Sequence, residues 1–360
     1  MKRHIFILVP ADTPDGPIKG AYALANLLAE QRQVTLVTLK RGPGSSSPLD
    51  SRVEKVCLAD KVQSFRSKIS LYKSMLKQAG GRDQVASISM CFSADILNLL
   101  CKSYAVICTS VRGNLIANYK MDYGGRGILL GAFHLFSLRR FDHVVAMTSA
   151  MSQQVRKYAG VEPTIIGNFV DEAALNSFRE SYVVGAEIRF VFVGSLSQRK
   201  RPWLIVHALA ALRERGVSAV LDLIGVGPMS DYIQSEAQRL GVSEWVNFHG
   251  FMASPYPVVA KADAFVLPSL SEGVSRASLE ALYLGVPCVL LDVDGNGELV
   301  TENQNGALFS EDDELVAAIE RAVSISHKSD GLSRMSLLPS IFTQKTAANE
   351  YLKLVELQKL

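Results

Sequence analysis

The chain has 360 residues, more than one hydrophobic core normally serves, so two domains are expected. Its composition, 48% hydrophobic and 20% charged, is that of a globular protein, and a net charge of +3 does not indicate nucleic-acid binding. The five cysteines contain no C-x-x-C pair, and the six histidines show no ligand spacing. We therefore expect free thiols in a reducing cytoplasm and no metal site.

The chain opens with MKRHIFILVP, a short basic and apolar run that ends at Pro10. This run is too short for a signal peptide and lacks a small-residue cleavage site, so it predicts a first β-strand. No later window reaches the length of a membrane span, which is about 18 apolar residues.

Apolar strand-like runs then alternate with helical patterns along the whole chain. The predicted strands of the first half are 4–10, 34–39, 85–90, 105–111 and 143–149, and those of the second half are 188–196, 219–225, 245–250, 263–269 and 287–292. The clearest predicted helices are 21–31, 202–216 and 275–285. Buried strands that alternate with helices indicate parallel sheets covered on both faces, here in two doubly wound α/β domains.

The domain boundaries follow from a polar stretch and from the C-terminal pattern. The stretch 166–187 lacks a strand pattern, and the tail from 343 has the periodicity of an amphipathic helix. We predict an N-terminal Rossmann-like domain at 1–168, a second one at 169–342, and a C-terminal helix at 343–360 that is expected to pack back on the N-terminal domain. Because ligands of doubly wound sheets bind at the carboxyl ends of the strands, the expected site is a cleft between the two domains.

The segment SEGVSRASLEALYLGVPC, Ser271–Cys288, follows a predicted strand and contains a predicted helix start near Ser275. A helix N-terminus suits a phosphate, and Gly273 lets the backbone approach a ligand. Glu272 and Glu280 are poor phosphate ligands but good acceptors for sugar hydroxyls, so the segment suits a nucleotide-sugar. The alternative is that both carboxylates only complement the helix dipole or face solvent.

The turn VGSLSQRKRPW, 193–203, follows another strand at the same predicted sheet edge. It turns at Gly194 and offers Arg199, Lys200 and Arg201, which could neutralise a diphosphate or form a solvated basic turn. The loop PADTPDGPIKG, 10–20, and LIGVGP, 223–228, both lack the G-x-G-x-x-G spacing of a dinucleotide site.

Together these motifs resemble the family 4 retaining glycosyltransferases, which have the GT-B fold. The segment E-G-V-S-R-A-S-L-E resembles the family's E-x7-E signature, and GSLSQRK resembles its G-R-L-x-x-x-K. LIGVGP, VNFHGF with DAFVLPSLSEG, GNFVDE and DGNGELV resemble further landmarks in the same order. The resemblance covers most of the chain and is most specific in its C-terminal half.

The resemblance implies a role for each matching position. Glu280 is expected to bind the ribose hydroxyls, Glu272 the transferred sugar and Lys200 the diphosphate. The remaining donor-binding positions are Gly16, Gly194, Ser195, Arg199, Phe251, Gly273, Val274 and Ser275.

Three positions depart from the family pattern. Ser195 replaces the family's diphosphate arginine, so Lys200 is expected to share that charge with Arg199, and Asp15 replaces the first glycine of a glycine pair. A family histidine is replaced near TSVRGN, which makes Arg112 a candidate catalytic residue, with Asn114 as a further candidate contact. His134 is an alternative, but its apolar helical surroundings favour a structural role.

The resemblance implies transfer of a sugar from a nucleotide-diphosphate-sugar, with UDP the expected nucleotide, to a hydroxyl with retention of configuration and without a metal. The nucleotide-sugar is a substrate, and no cofactor is expected. The acceptor class implied is a lipid-linked, lipopolysaccharide, capsule or exopolysaccharide glycan. The alternative is a non-catalytic nucleotide-sugar-binding subunit of a transferase complex, which the changes at Ser195 and Asp15 favour.

The stretch 64–78 has apolar residues at helical spacing between basic ones, which is typical of a helix on an anionic membrane surface. Peripheral contact with the inner membrane through this helix is therefore one expectation. An ordinary helix that packs on its own sheet is the other.

Overall fold

The computed structural model describes residues 3–13, 16–44, 49–179 and 182–356. The chain forms two compact units: Met1–Val170 with Ile341–Leu360 (unit 1), and Asp171–Ser340 (unit 2). Each unit is a parallel sheet with helices between most successive strands, as the alternating pattern predicts.

Unit 1 contains a seven-stranded sheet in the order β3-β2-β1-β4-β5-β6-β7. Its strands are β1 His4–Ala11, β2 Val34–Lys40, β3 Val53–Cys57, β4 Val85–Met90, β5 Val106–Val111, β6 His143–Ala146 and β7 Thr164–Ile165. Its first seven helices are α1 Gly16–Leu28, α2 Leu58–Lys61, α3 Phe65–Gln78, α4 Phe92–Leu99, α5 Leu115–Tyr123, α6 Gly125–Ser137 and α7 Ser149–Ala159. Strand order reverses between β1 and β4, where a doubly wound sheet has its topological switch point.

Unit 2 contains a six-stranded sheet in the order β10-β9-β8-β11-β12-β13. Its strands are β8 Ile188–Val193, β9 Ala219–Ile224, β10 Val246–Gly250, β11 Ala264–Leu267, β12 Cys288–Leu291 and β13 Gly306–Phe309. Its helices are α8 Glu172–Asn176, α9 Pro202–Glu214, α10 Ser230–Arg239, α11 Tyr256–Val259, α12 Arg276–Tyr283, α13 Asn296–Leu299 and α14 Leu315–His327. The switch point of this sheet lies between β8 and β11.

The last helix, α15 Gln344–Glu356, belongs to unit 1 although it follows unit 2 in the chain. Tyr351 is buried, and its hydroxyl donates to Ser110 Oγ at 3.2 Å, at the end of β5. The guanidinium of Arg3 donates to the carbonyl of Val355. The C-terminal helix therefore packs on the N-terminal sheet, as predicted.

Helix α3 packs on its own sheet through the face that could have met a membrane. Tyr72 and Leu76 are fully buried in the core of unit 1, and Ile69 packs against the same cluster. Lys68 is also buried, and Phe65 is the largest exposed apolar side chain of the helix. Helix α3 thus packs as an ordinary helix on its own sheet. Its Tyr72 side chain fills part of the core of unit 1 and forms a hydrogen bond with Ser87.

The cysteines are all free thiols. Cys101, Cys108 and Cys288 are buried, and Cys57 and Cys91 are half-buried. Burial raises the pKa of Cys101 to about 12 and that of Cys288 well above its ordinary value, so these thiols are protonated and unreactive at neutral pH.

Within the four described ranges, no group of three or more histidine, cysteine or acidic side chains lies close enough to hold a metal ion. The helices of the same ranges include none that is long and apolar enough to cross a bilayer.

Candidate functional site

The loops that follow β8, β9, β10 and β11 are joined to one another at the switch point of unit 2. The bonds that join them are Gly194 N to Ile224 O at 2.9 Å, Leu196 N to Val226 O at 3.1 Å, Gly225 N to Gly250 O at 2.7 Å, and Leu270 N to Arg199 O at 2.9 Å. This network fixes the backbone from which the predicted donor-binding side chains project.

The glycines of LIGVGP are required by the packing of these loops. A Cβ added at Gly225, where φ is +141°, would lie 1.8 Å from the carbonyl oxygen of Gly194. One added at Gly227 would lie 2.3 Å from the carbonyl oxygen of Leu196. The G-x-G spacing is therefore explained by close backbone contact between two turns rather than by a dinucleotide.

Glu272, Lys200 and Arg199 form one ion cluster across the switch point. Lys200 Nζ lies 2.7 Å and Arg199 Nη1 lies 3.0 Å from Glu272 Oε1. The Glu272 and Lys200 side chains are nearly buried, whereas the Arg199 side chain is 38% exposed. The cluster carries a net charge of +1, so it retains a positive charge that could attract an anion.

The environment of Glu272 keeps its carboxylate ionised. Burial raises the pKa of this group, but the charges of Lys200 and Arg199 oppose burial, and the pKa lies below its ordinary value. The two cations predicted for the diphosphate are thus held by the carboxylate predicted for the donor sugar.

Asp294 holds the turn that carries Glu272. Its Oδ2 atom accepts a hydrogen bond from Ser271 Oγ at 2.8 Å and another from the backbone N–H of Glu272 at 3.0 Å. Asp294 itself has φ +50°, a left-handed conformation that aspartate tolerates better than most residues. No role of Asp294 was predicted from the sequence. The DGNG sequence around it indicates a turn but does not show which loop its carboxylate contacts.

The N-terminus of α12 lies just beyond this turn. Ser275 is the N-cap, and its side chain accepts a hydrogen bond from Ser278 N at 3.2 Å. The side chains of Ser275 and Val274 are buried, whereas Gly273 is partly exposed. Among the three, Gly273 offers the most accessible backbone, and the Ser275 hydroxyl is engaged in capping.

Glu280 lies in the second turn of α12 and has different neighbours from Glu272. The hydroxyl of Tyr256 donates to Glu280 Oε1 at 3.5 Å, and Arg276 Nε lies 3.8 Å from the same atom. Burial, and then the charge of Glu280, raise the pKa of Tyr256. The two glutamates of the E-x7-E pattern therefore belong to two separate groups of polar contacts.

The remaining predicted residues of unit 2 fall into two groups. Ser195 is exposed beside Gly194, and Phe251 is 67% exposed beside Gly250. Arg201 serves the structure instead: its guanidinium donates to Pro268 O at 2.9 Å and pairs with Asp312 at 2.7 Å. Only two of the three consecutive cations thus join the cluster at Glu272.

Unit 1 contains Gly16 and Arg112. Gly16 is the exposed first residue of α1, and Asp15 lies outside the described residues. Arg112 follows β5, and its Nη1 atom donates to Asn168 Oδ1 at 3.3 Å. A Cβ at Gly20 would lie 2.6 Å from the same nitrogen, so this glycine makes room for the guanidinium.

The other two candidates of unit 1 have structural contacts. Asn114 is the N-cap of α5 and accepts a hydrogen bond from Ala117 N at 3.1 Å. His134 is buried, and its Nε2 atom lies 2.8 Å from Asp95 Oδ2. The Asp95 carboxylate also accepts hydrogen bonds from Ser89 and Thr109 inside the sheet, which agrees with the structural role favoured for His134.

Sequence comparison finds relatives of unit 2. A family model described as "Glycosyl transferases group 1" matches residues 176–334. "Putative glycosyltransferase EpsD" of Bacillus subtilis (strain 168) is 30% identical over 138 residues, 38% of this chain and 36% of that protein. A "GDP-mannose-dependent alpha-(1-6)-phosphatidylinositol monomannoside mannosyltransferase" of Mycolicibacterium smegmatis is 33% identical over 162 residues, 42% of each chain. The chain thus spans less than half the length of these two curated relatives.

Structural comparison extends over both units. The crystal structure of Anabaena Alr3699/HepE in complex with UDP matches with a TM-score of 0.73 and 17% identity, and the match covers 98% of this chain and 99% of that one. At this identity the match shows the fold alone. The fold is GT-B, as the sequence resemblance predicts.

Proposed function

We propose that this chain, whose residues 176–334 match the family model for group 1 glycosyl transferases, transfers a sugar from a nucleotide-diphosphate-sugar to a hydroxyl group of a glycan acceptor. The observation that carries this proposal is the cluster of Glu272, Lys200 and Arg199 at the switch point of the unit 2 sheet. Two cations beside a nearly buried, ionised glutamate suit a donor that has both phosphates and hydroxyls.

The donor is bound in three parts in this proposal. Lys200, Arg199 and the backbone at Gly273 bind the diphosphate, because cations and a helix start both favour negative charge. Glu272 accepts hydroxyl hydrogen bonds from the transferred sugar. Glu280 accepts those of the ribose, and Phe251 lies against the base.

Catalysis then depends on stabilising the leaving diphosphate. As the anomeric C–O bond breaks, negative charge grows on the diphosphate and positive character grows on the sugar. Lys200 and Arg199 stabilise the first, and ionised Glu272 stabilises the second. The acceptor hydroxyl attacks from the face that the diphosphate leaves, which retains the configuration, and its proton passes to the departing phosphate oxygen. Arg112 is proposed to contact the donor from unit 1, with Gly16 beside the phosphates.

The proposed donor nucleotide is UDP. The Anabaena neighbour was crystallised with UDP, whereas the mycobacterial relative is named for GDP-mannose, so the base must be tested directly. We expect UDP to raise the melting temperature of the full chain more than GDP does at equal concentration. A larger shift with GDP would replace UDP in this proposal, and no shift with any nucleotide would contradict donor binding.

The acceptor is proposed to be a lipid-linked or lipopolysaccharide-type glycan. Support comes from the mycobacterial relative, whose name describes a phosphatidylinositol mannoside acceptor. The five free thiols suit a reducing cytoplasm, where we place the reaction. Helix α3 is not part of this proposal, because its apolar face is buried.

Transfer is proposed to need no metal and no cofactor. Incubation with EDTA should leave the transfer rate unchanged, and a loss that Mg²⁺ or Mn²⁺ restores would contradict this part of the proposal. Product stereochemistry, measured from the anomeric proton coupling by NMR, tests retention.

The second candidate function is a non-catalytic nucleotide-sugar-binding subunit. The observation that favours it is that Ser195, at the position of the family's diphosphate arginine, is exposed and carries no charge. The two functions separate in one assay with radiolabelled donor. Binding without transfer or donor hydrolysis supports the subunit, and release of UDP supports the enzyme.

A further inference from the structure

Helix α6 exposes large apolar side chains on its outer side as well as burying Leu135 on its inner side. Its inner face packs closely on α5, since a Cβ at Gly127 would lie 1.7 Å from the carbonyl oxygen of Tyr119. Gly131, one turn later, is also buried against α5. Gly127 and Gly131 let the two helices touch, while several other large apolar side chains of α6 point outward.

These outward residues form what we call the α6 face: Ile128, Leu129, Phe133 and Phe136. Leu129 is 74% exposed, Phe133 is 54% exposed and Phe136 is 53% exposed. Their spacing of four and three residues places them on one side of the helix. On the preceding α5, Met121 and Tyr123 are also exposed. Single exposed apolar side chains are ordinary, but a continuous helical stripe of this kind marks a docking surface.

Basic residues lie at both ends of the α6 face. Arg126 lies one turn before Leu129, and Arg140 lies one turn after Phe136; both are exposed. The guanidinium of Arg139 lies 4.9 Å from the centre of the Phe136 ring. Between 115 and 140 the sequence has four basic residues, the fourth being Lys120, and one acidic residue, Asp122.

We propose that the α6 face docks on an anionic phospholipid bilayer. A stripe of aromatic and aliphatic side chains with cations at both ends matches the boundary between headgroups and acyl chains, where the stripe inserts and the cations meet phosphates. Helix α6, 13 residues or about 20 Å long, would lie in the plane of the membrane. This inference does not depend on the transfer reaction.

The test is co-sedimentation of the full chain with vesicles that contain phosphatidylcholine alone or with 30% phosphatidylglycerol. We expect binding to the anionic vesicles that weakens as salt is raised. L129Q/F133Q/F136Q should lower this binding at least tenfold. Its matched control is L332Q/M335Q, which removes exposed apolar side chains from unit 2 and should bind as the wild type does. Equal binding by the α6 variant and the wild type would overturn the proposal.

A second pair of variants tests the charges. K120Q/R126Q/R140Q should remove the preference for anionic vesicles, whereas R66Q/K73Q/K77Q, an equal charge change on α3, should retain it. Loss in the α3 variant alone would assign membrane contact to α3 and overturn the proposal.

The same proteins should be compared by analytical ultracentrifugation and circular dichroism. A wild-type dimer that L129Q/F133Q/F136Q converts to a folded monomer, with no vesicle binding by either, would make the α6 face an interface between two copies and overturn the membrane assignment. If that variant proves unfolded, L129Q alone, at the most exposed position, is used with the same criteria.

Discussion

The carboxylate of Glu272 has one observed role in the free protein and a second, proposed role in the donor complex. In the structure it neutralises part of the charge of Lys200 and Arg199, and it is also the group proposed to meet the donor sugar. In the proposed complex a diphosphate binds the two cations, and the carboxylate is then free to accept hydroxyl hydrogen bonds. The cluster is therefore pre-organised for an anion without leaving an unpaired buried charge in the free protein.

Glu272→Gln should separate binding from transfer. Removing the negative charge frees both cations, so we expect UDP to bind as tightly as in the wild type or more tightly, while the transfer rate falls at least about a hundredfold. Isothermal titration and a radiolabelled-donor assay measure the two effects. Arg215→Gln, at an exposed ion pair with Glu320, is the control and should change neither. Weaker UDP binding by E272Q would contradict the cluster's proposed role.

The same variant should change how stability depends on pH. Because the pKa of Glu272 is depressed on folding, the stabilisation from its ionised form is present above the ordinary value of 4.5 and is lost as the pH falls below it. We expect E272Q to be less stable by about 2 kcal/mol at pH 7, with a smaller difference at pH 4. Urea unfolding at the two pH values measures this. An equal difference at both would show that ionisation is not the cause.

Asp294 is expected to position Glu272. Asp294→Ala removes both hydrogen bonds to the turn, so kcat should fall about tenfold with little change in KM for the donor. Asp294→Asn keeps one acceptor oxygen and tolerates the left-handed conformation, so it should restore much of the rate. A rise in KM alone would indicate that Asp294 affects donor binding rather than the geometry of Glu272.

At the scale of elements, the joined loops of unit 2 explain two glycines that would otherwise suggest a ligand. Gly225→Ala should lower the free energy of unfolding by about 3 kcal/mol, because the new methyl group meets the Gly194 carbonyl. Gly216→Ala is the matched control: φ there is +77°, but no atom lies within 4 Å of the new Cβ. It should cost about 1 kcal/mol. Equal costs at the two positions would show that backbone conformation, not contact, decides.

Elements were predicted well where apolar runs are long and poorly where they are short. Strands β1 and β8 contain the uninterrupted apolar runs IFILV and FVFV, and Pro202 begins α9 as expected. Strand β3 was not predicted, because exposed Glu54 and Lys55 interrupt its apolar pattern, and neither was β13, which has four residues. The role of α3 stayed open because one amphipathic pattern fits a sheet and a membrane equally well.

The site was predicted only in part, because the sequence does not show which side chains of separate loops contact each other. The order of the motifs predicts that Lys200 and Glu272 lie at the same sheet edge. Because they are 72 positions apart, the sequence does not show that their side chains form an ion pair. The function of Asp294 depends on a contact between two loops, and the pattern within one loop cannot show that contact. Nor can a run of three cations show that Arg201 alone turns to Asp312.

At the scale of the whole molecule, unit 1 is formed by an N-terminal segment and a C-terminal helix that are far apart in sequence. Tyr351→Ala removes a fully buried ring and its hydrogen bond to Ser110, so we expect it to destabilise unit 1 by about 3 kcal/mol. Hydrogen exchange should then increase in β1, β4 and β5, with exchange in unit 2 unchanged. Faster exchange throughout both units would show that they unfold together rather than separately.

The return of α15 to unit 1 has a consequence for synthesis on the ribosome. The first sheet leaves the ribosome early, but its last helix is made only after the whole of unit 2, a delay on the order of ten seconds at ordinary translation rates. During that interval the groove that α15 will fill, lined by α1 and the end of β5, is open to water. Unit 2 is encoded by one uninterrupted segment, so it can complete its core first. The nascent N-terminal half is thus the part of the newborn chain that exposes apolar core surface for the longest time.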